Sequence, residues 1–181
     1  MRIKEAIHSE KVATDIATPL MRLGNISERR IFSLLKGDYG LPEFLINNPG
    51  LNSGFMMLQV TAAALASENK VLSNPTSSDS IPTCSDQEDY VSMAPYAGRK
   101  LFNSVDNLYI ILSIELLAAC QGIDFRKGLK PAKVLNILHK LVRKNITFLK
   151  QDRLLKNDLD IMIKLMKTEL LNKIENEINI V

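Results

Sequence analysis

Three acids and an amide stand together at Asp86-Gln87-Glu88-Asp89. A carboxylate facing a pocket can act as a general base or pair with a cation, and burial could raise its pKa toward the working pH. Glu88 is the candidate for that role. The same residues also read, without chemistry, as the acidic first turn of a long helix, where the helix dipole favours negative charge. A second candidate is Gly50-Leu51-Asn52-Ser53-Gly54, in which two glycines flank polar Asn52 and Ser53, so that backbone and amide groups can come close to a ligand. The plain alternative there is a turn with Ser53 as helix N-cap. His8, near Glu10, is either a pocket residue or a structural helical histidine. Tyr39, Tyr90, Tyr96 and Arg99 could contact a carboxylate or aromatic substrate, Arg99 in bidentate fashion, but each is a surface or packing residue by default. The sequence contains no Gly-rich phosphate loop, Ser-His-Asp arrangement or metal motif. Cys84 and Cys120 lie in unlike contexts, and His8 and His139 lack ligand spacing, so zinc is not expected.

The elements that must position these residues read as helices throughout. No stretch alternates with period two in β-branched residues. A first helix is expected over about 5–23, with Pro19 as a kink and Gly24-Asn25 as its end, followed by a short helix 28–36 capped by Ser27. The Gly- and Pro-bearing stretch 37–52 is a loop, long enough to be functional. A helix over about 53–73 is apolar on most of its surface and should lie deep in a bundle. After a polar loop 74–86, the longest helix runs from Gln87 to Gln121, ended by Gly122. Two further helices follow at about 131–150 and 158–176, the first opened by Pro131. The segment Leu101–Cys120 is apolar almost all round. One short chain has few helices with which to cover both it and 53–73, which points to an oligomer or a partner chain.

Composition sets the outer bounds. The 181 residues are 46% hydrophobic and 24% charged, the balance of a globular, not a disordered, chain. That length suits one helical domain over 1–181. With no Trp and 6% aromatics, a nucleic-acid reader built on stacking is not expected. Residues 1–125 hold ten Lys/Arg against fourteen Asp/Glu, and residues 126–181 hold thirteen against six. The basic third reads as solvated helix faces and not as a nucleic-acid surface. The longest apolar stretch, Leu108–Cys120, is interrupted by Ser113 and Glu115 and is short for a bilayer, so no membrane partner is expected. The absence of an apolar leader and the two free thiols point to the cytoplasm.

Several strings, taken in order, resemble the histidine ammonia-lyase branch of the aromatic amino acid lyases. They are Ile26-Ser27-Glu28-Arg29-Arg30, Gly50–Met56, Gln59–Leu65, Ser67-Glu68-Asn69-Lys70, Asp79–Thr83, Gln87-Glu88-Asp89, Val91-Ser92-Met93, Arg99-Lys100, Glu115–Arg126 and Asp152-Arg153 with Asp158. The resemblance covers only the C-terminal part of that family, as in a split gene, a truncated gene or a fragment. It implies an all-α long-helix bundle and homotetrameric assembly with sites shared between subunits. It implies Glu88 as the catalytic residue, handling the substrate imidazole or the proton removed, with Gln87, His8, Asn52 and Ser53 as substrate contacts. The family's methylidene-imidazolone electrophile arises from Ala-Ser-Gly; no such string occurs here, so no cofactor is expected to form in this chain. The implied activity is elimination of ammonia from L-histidine to give urocanate, if another chain supplies the N-terminal half. The alternative is an inactive remnant or helical assembly module. Ile7, Lys11, Asp86, Tyr90, Pro95 and Tyr96 depart from the family pattern.

Overall fold

The computed structural model describes residues 3–126, 128 and 131–170, and the side chains from residue 10 onward within them. Five α-helices account for most of it: α1 (Ile3–Leu35), α2 (Met56–Leu72), α3 (Ala94–Phe125), α4 (Lys133–Asn145) and α5 (Lys156–Leu165). A 3-10 turn at Glu43–Leu45 interrupts the first connection, and a π-turn, Met166–Leu170, continues α5. There is no named β-strand among the described residues, in keeping with the expected all-α class. Contacts divide the chain into two compact units, Met1–Asn25 with Ala64–Leu108, and Ile26–Ala63 with Tyr109–Val181.

The first unit packs small residues. Ala17, Ala66 and Ala97 are buried, and the buried polar side chains of Asn69 and Ser104 sit among them. The Asn69 amide donates to the Ser104 carbonyl at 3.3 Å, and its oxygen accepts from the Asn107 amide at 3.1 Å. The second unit holds the larger core: Ile31, Leu45, Ile46, Ile111, Ile114 and Met162 are fully buried. Each such side chain contributes about 1.5–3 kcal/mol by leaving water.

Several boundaries differ from the sequence expectation. The expected break at Gly24-Asn25 is absent, and α1 runs unbroken past Pro19 and both residues. Ser27 is therefore no N-cap; it is buried, and its hydroxyl donates to the Glu115 carboxylate. Buried Glu28 accepts the Gln59 amide at 2.8 Å and the Arg29 guanidinium at 2.5 and 2.7 Å. Those distant partners outweigh a local stop signal. Likewise α3 passes through Gly122, which is buried against Leu41 and Leu45, and ends at Phe125. Its start lies at Ala94 and not Gln87, so Pro95 falls in the first turn, where a missing N–H costs nothing. α4 begins two residues after Pro131 and stops at Asn145, because Ile146 is extended. The expected end of the last helix near 176 lies outside the described residues.

The expectation that the second long helix lies deep in the bundle holds on one side only. Within α2, Leu58, Ala62 and Ala66 are buried, but Met56, Met57, Val60 and Val71 are exposed. α3 is long and apolar enough to cross a bilayer by length and composition, yet half of its most apolar window is already buried by this chain, as in the core helix of a helical protein.

Candidate functional site

Two loop systems carry the candidate residues, one in each unit. In the first unit, the segment 79–93 leaves and rejoins itself at a neck. The Ser80 hydroxyl accepts the Val91 N–H at 2.9 Å and donates to the Val91 carbonyl at 3.3 Å. At the tip, Thr83 and Glu88 exchange backbone hydrogen bonds of 2.9 and 3.3 Å. Cys84, Ser85 and Asp86 follow in left-handed conformation, with φ of 54°, 55° and 65°. Gln87 and Glu88 thus sit on a turn, not in the first turn of a helix. Both are exposed, and the Glu88 carboxylate accepts the Thr83 hydroxyl at 3.0 Å. The pocket burial expected for Glu88 does not occur within this chain. Asp86 and Asp89 are exposed as well.

The base of that loop is held by a residue that local pattern did not single out. Glu10 is buried, and one carboxylate oxygen accepts both the Ser92 hydroxyl at 2.9 Å and the Met93 N–H at 2.5 Å. The Ser92 hydroxyl in turn accepts the Ala94 N–H at 3.1 Å. A carboxylate and a serine together satisfy the first donors of α3, which explains where that helix begins. Nothing in the Glu10 neighbourhood of the sequence announces a contact 83 residues away. His8 lies in α1 by its backbone, and its side chain is outside the described residues.

Beside this loop, the Lys100 ammonium donates to the Asn74 carbonyl, and burial lowers its pKa. Arg99 stacks over the Tyr96 ring at 5.5 Å, and Tyr39, Tyr90 and Tyr96 are exposed.

In the second unit, Asn52 and Ser53 belong to a loop fixed by Asp152. The Asp152 carboxylate accepts the Ser53 N–H at 2.7 Å and the Gly54 N–H at 2.8 Å. The Asn52 side chain is engaged at both ends, with one N–H and one lone pair left over: its amide donates to the Asn47 carbonyl at 3.0 Å, and its oxygen accepts the Asp152 N–H at 3.3 Å. Gly54, at φ +53°, is required, since an added Cβ would overlap the Phe44 carbonyl and reach 2.8 Å from the Ile46 side chain. Ser53 is not a side-chain cap; its carbonyl accepts the Met56 N–H at 3.1 Å. Its hydroxyl has no hydrogen bond among the described residues. Ser53 lines a mainly apolar cleft of about 460 Å³ together with Met57, Leu58, Thr61, Leu155 and Leu159.

Buried Gln121 ties the same unit together. Its amide donates to the Leu45 carbonyl at 3.1 Å and the Leu149 carbonyl at 2.9 Å. Its oxygen accepts from Leu149 N–H and from Arg143, each at 3.2 Å. Cys120 beside it is buried, and burial pushes its thiol up to about 11, against a smaller downward pull from Arg143. Both cysteines are free. No group of His, Cys, Asp and Glu suited to a metal ion occurs among the described residues. Gln87 and Glu88 therefore share one unit, and Asn52 and Ser53 the other.

Comparison with known proteins gives these loops a context. The family model for aromatic amino acid lyases matches residues 7–144. A histidine ammonia-lyase from Photorhabdus laumondii is 48% identical over 171 residues, covering 92% of this chain and 33% of that protein. Among solved structures, histidine ammonia-lyase from Trypanosoma cruzi superposes with a TM-score of 0.87 at 42% identity, over 92% of this chain and 34% of that one. Tyrosine aminomutase from Streptomyces globisporus superposes with a TM-score of 0.85 at 33% identity, over 93% of this chain and 33% of that one. The chain spans about a third of the length of the curated relatives it matches. On the extent of the family match and the identity to these relatives, the chain belongs to the aromatic amino acid lyase family.

Proposed function

We propose that this chain is the C-terminal helical part of a histidine ammonia-lyase-like assembly, completed in the cytoplasm by a second chain that carries an Ala-Ser-Gly segment. The reaction is the non-oxidative elimination of ammonia from L-histidine. The β C–H bond breaks, its electron pair forms the new double bond, and the amine departs to leave urocanate. Glu88 accepts the β-proton, and Gln87, His8, Asn52 and Ser53 contact the substrate. The observation that carries the reading is 48% identity to a histidine ammonia-lyase over 92% of the chain. A turn that offers Glu88 and Gln87 to solvent suits a carboxylate whose pocket is closed by another chain.

The methylidene-imidazolone group of the family does not fit the residues present here. The sequence has no Ala-Ser-Gly. In its nearest string, Asn52-Ser53-Gly54, the Ser53 and Gly54 N–H groups are bound to Asp152, and Gly54 is wedged against Phe44. A Gly54 amide held in this way is not free to cyclise. This chain's part is proton transfer and substrate contact.

Reconstitution tests the reading. The purified chain is mixed with the part of the Photorhabdus laumondii enzyme that precedes the matched region, and urocanate is followed by its ultraviolet absorbance. Urocanate should form in the mixture and in neither component alone. Glu88→Gln should lower that rate by about 100-fold or more without loss of association. Association without urocanate formation would leave the second reading, an inactive helical assembly module. Exposed Val12, Ile16 and Leu23 along α1 form an apolar face suited to a partner helix, which that second reading needs as much as the first.

A further inference from the structure

The second unit contains a cavity of about 460 Å³ that holds none of the residues assigned above to lyase chemistry. Its lining is Asn47, Asp124, Phe125, Arg143 and Phe148. That volume lies within the usual range of small-ligand sites, about 300–1,000 Å³. Two of the lining residues form an apolar wall: the rings of Phe125 and Phe148 meet edge to face, 5.2 Å apart and inclined at 65°. An edge-to-face pair can accept a third ring in the same manner.

The polar side of the cavity is already partly committed, and what is left over defines the ligand. Both Asp124 oxygens are occupied, one by His139 Nε2 at 2.7 Å and the other by Arg143 Nε at 2.6 Å. Arg143 also donates one N–H to the Ile146 carbonyl and one to Gln121, both at 3.2 Å. A guanidinium has five N–H donors, so two remain. The Asn47 side chain is exposed and its amide has no hydrogen bond among the described residues. The surrounding helix is basic: α4 carries Lys133, Lys140, Arg143 and Lys144, and no acid. Arg143 answers the charge of Asp124 and holds the Ile146 carbonyl at the end of α4. The two unspent Arg143 N–H groups call for an acceptor, and the Asn47 amide can donate beside them.

We propose that this cavity is a binding site for a small aromatic carboxylate, its ring against Phe125 and Phe148 and its carboxylate on Arg143 and Asn47. This inference does not rest on the lyase reading.

Binding of 3-phenylpropanoate to the full 181-residue chain is measured by ligand-observed NMR titration. The comparison probes are 3-phenylpropanamide, propanoate and phenethyltrimethylammonium. The acid should bind at least about tenfold tighter than each of the three, since charge-assisted bonds to a guanidinium exceed neutral ones by that order. Asn47→Trp, at an exposed position without side-chain bonds, should fill the mouth and weaken binding about tenfold with an unchanged thermal melt. Glu88→Gln should leave binding unchanged, which separates this cavity from the proposed lyase site. Arg143→Lys, if it folds, should weaken binding by a similar factor; if it does not, Asn47→Trp decides. Equal binding of the amide, tighter binding of the ammonium, indifference to Asn47→Trp, or no saturable binding at millimolar concentration would each overturn the proposal.

Discussion

The carboxylate of Asp152 accepts the N–H of Gly54 at 2.8 Å across 98 residues of sequence. The same carboxylate takes the Ser53 N–H, so one acid fixes the entry to α2. Asp152→Ala should lower stability by about 1–3 kcal/mol, the cost of two charge-assisted bonds in a partly exposed place. Asp152→Asn, which can still accept one of them, should lose less. Urea denaturation of the three proteins measures the order.

Gly54 and Gly98 make a matched pair. Gly54→Ala meets both an unfavourable φ and the Phe44 carbonyl, and should destabilise by about 3 kcal/mol or more. Gly98, inside α3 with nothing within 4 Å of an added Cβ, should gain about 0.5–1 kcal/mol on substitution by Ala. Thermal unfolding of both variants should shift in opposite directions.

Gln121 has all its polar capacity used within the core. Gln121→Leu keeps similar bulk but strands two carbonyls, the Leu149 N–H and part of Arg143. Each unsatisfied buried group costs about 1–3 kcal/mol, so the variant should lose about 3–5 kcal/mol and become the most damaging of these substitutions in chemical denaturation. Gln121→Glu should also be destabilised, because the added oxygen cannot donate to the Leu45 and Leu149 carbonyls.

The two thiols should behave oppositely. Cys84 is exposed on a turn and Cys120 is buried. A thiol-reactive disulfide reagent at mildly alkaline pH should therefore label one cysteine per folded chain, identified as Cys84 by peptide mass mapping, and two after denaturation. Cys120 also carries a pH signature. Its pKa rises from 9.0 to about 11 on folding, so the native state keeps a proton that the unfolded chain releases. The stabilisation is whole below pH 9 and is lost as pH rises from 9 to about 11, amounting to about 2–3 kcal/mol. Cys120→Ala, less stable at neutral pH, should show a correspondingly shallower decline across that window.

What could be read from residues alone was whatever depends on composition, periodicity and ordered motifs. The all-helical class, the apolar runs that became α2 and α3 and the membership of the lyase family are all of this kind, since each is a property of neighbours along the chain. The tertiary structure decided the ends of elements and the surroundings of side chains. Gly24-Asn25 is a proper stop signal, but α1 passes it because Ser27 and Glu28 find Glu115 and Gln59. The acids 86–89 suit a helix N-terminus, but Glu10 and Ser92 set the start of α3 at Ala94 and leave Glu88 on an exposed turn. Asn52, legible as a polar loop residue, also ties its loop to Asn47 and Asp152 through its amide. Apart from two local bonds, Ser92 with Ala94 and Asn52 with Asn47, the partners lie between 31 and 100 residues away, and a local pattern contains no trace of a hydrogen bond whose other half is brought close only by folding.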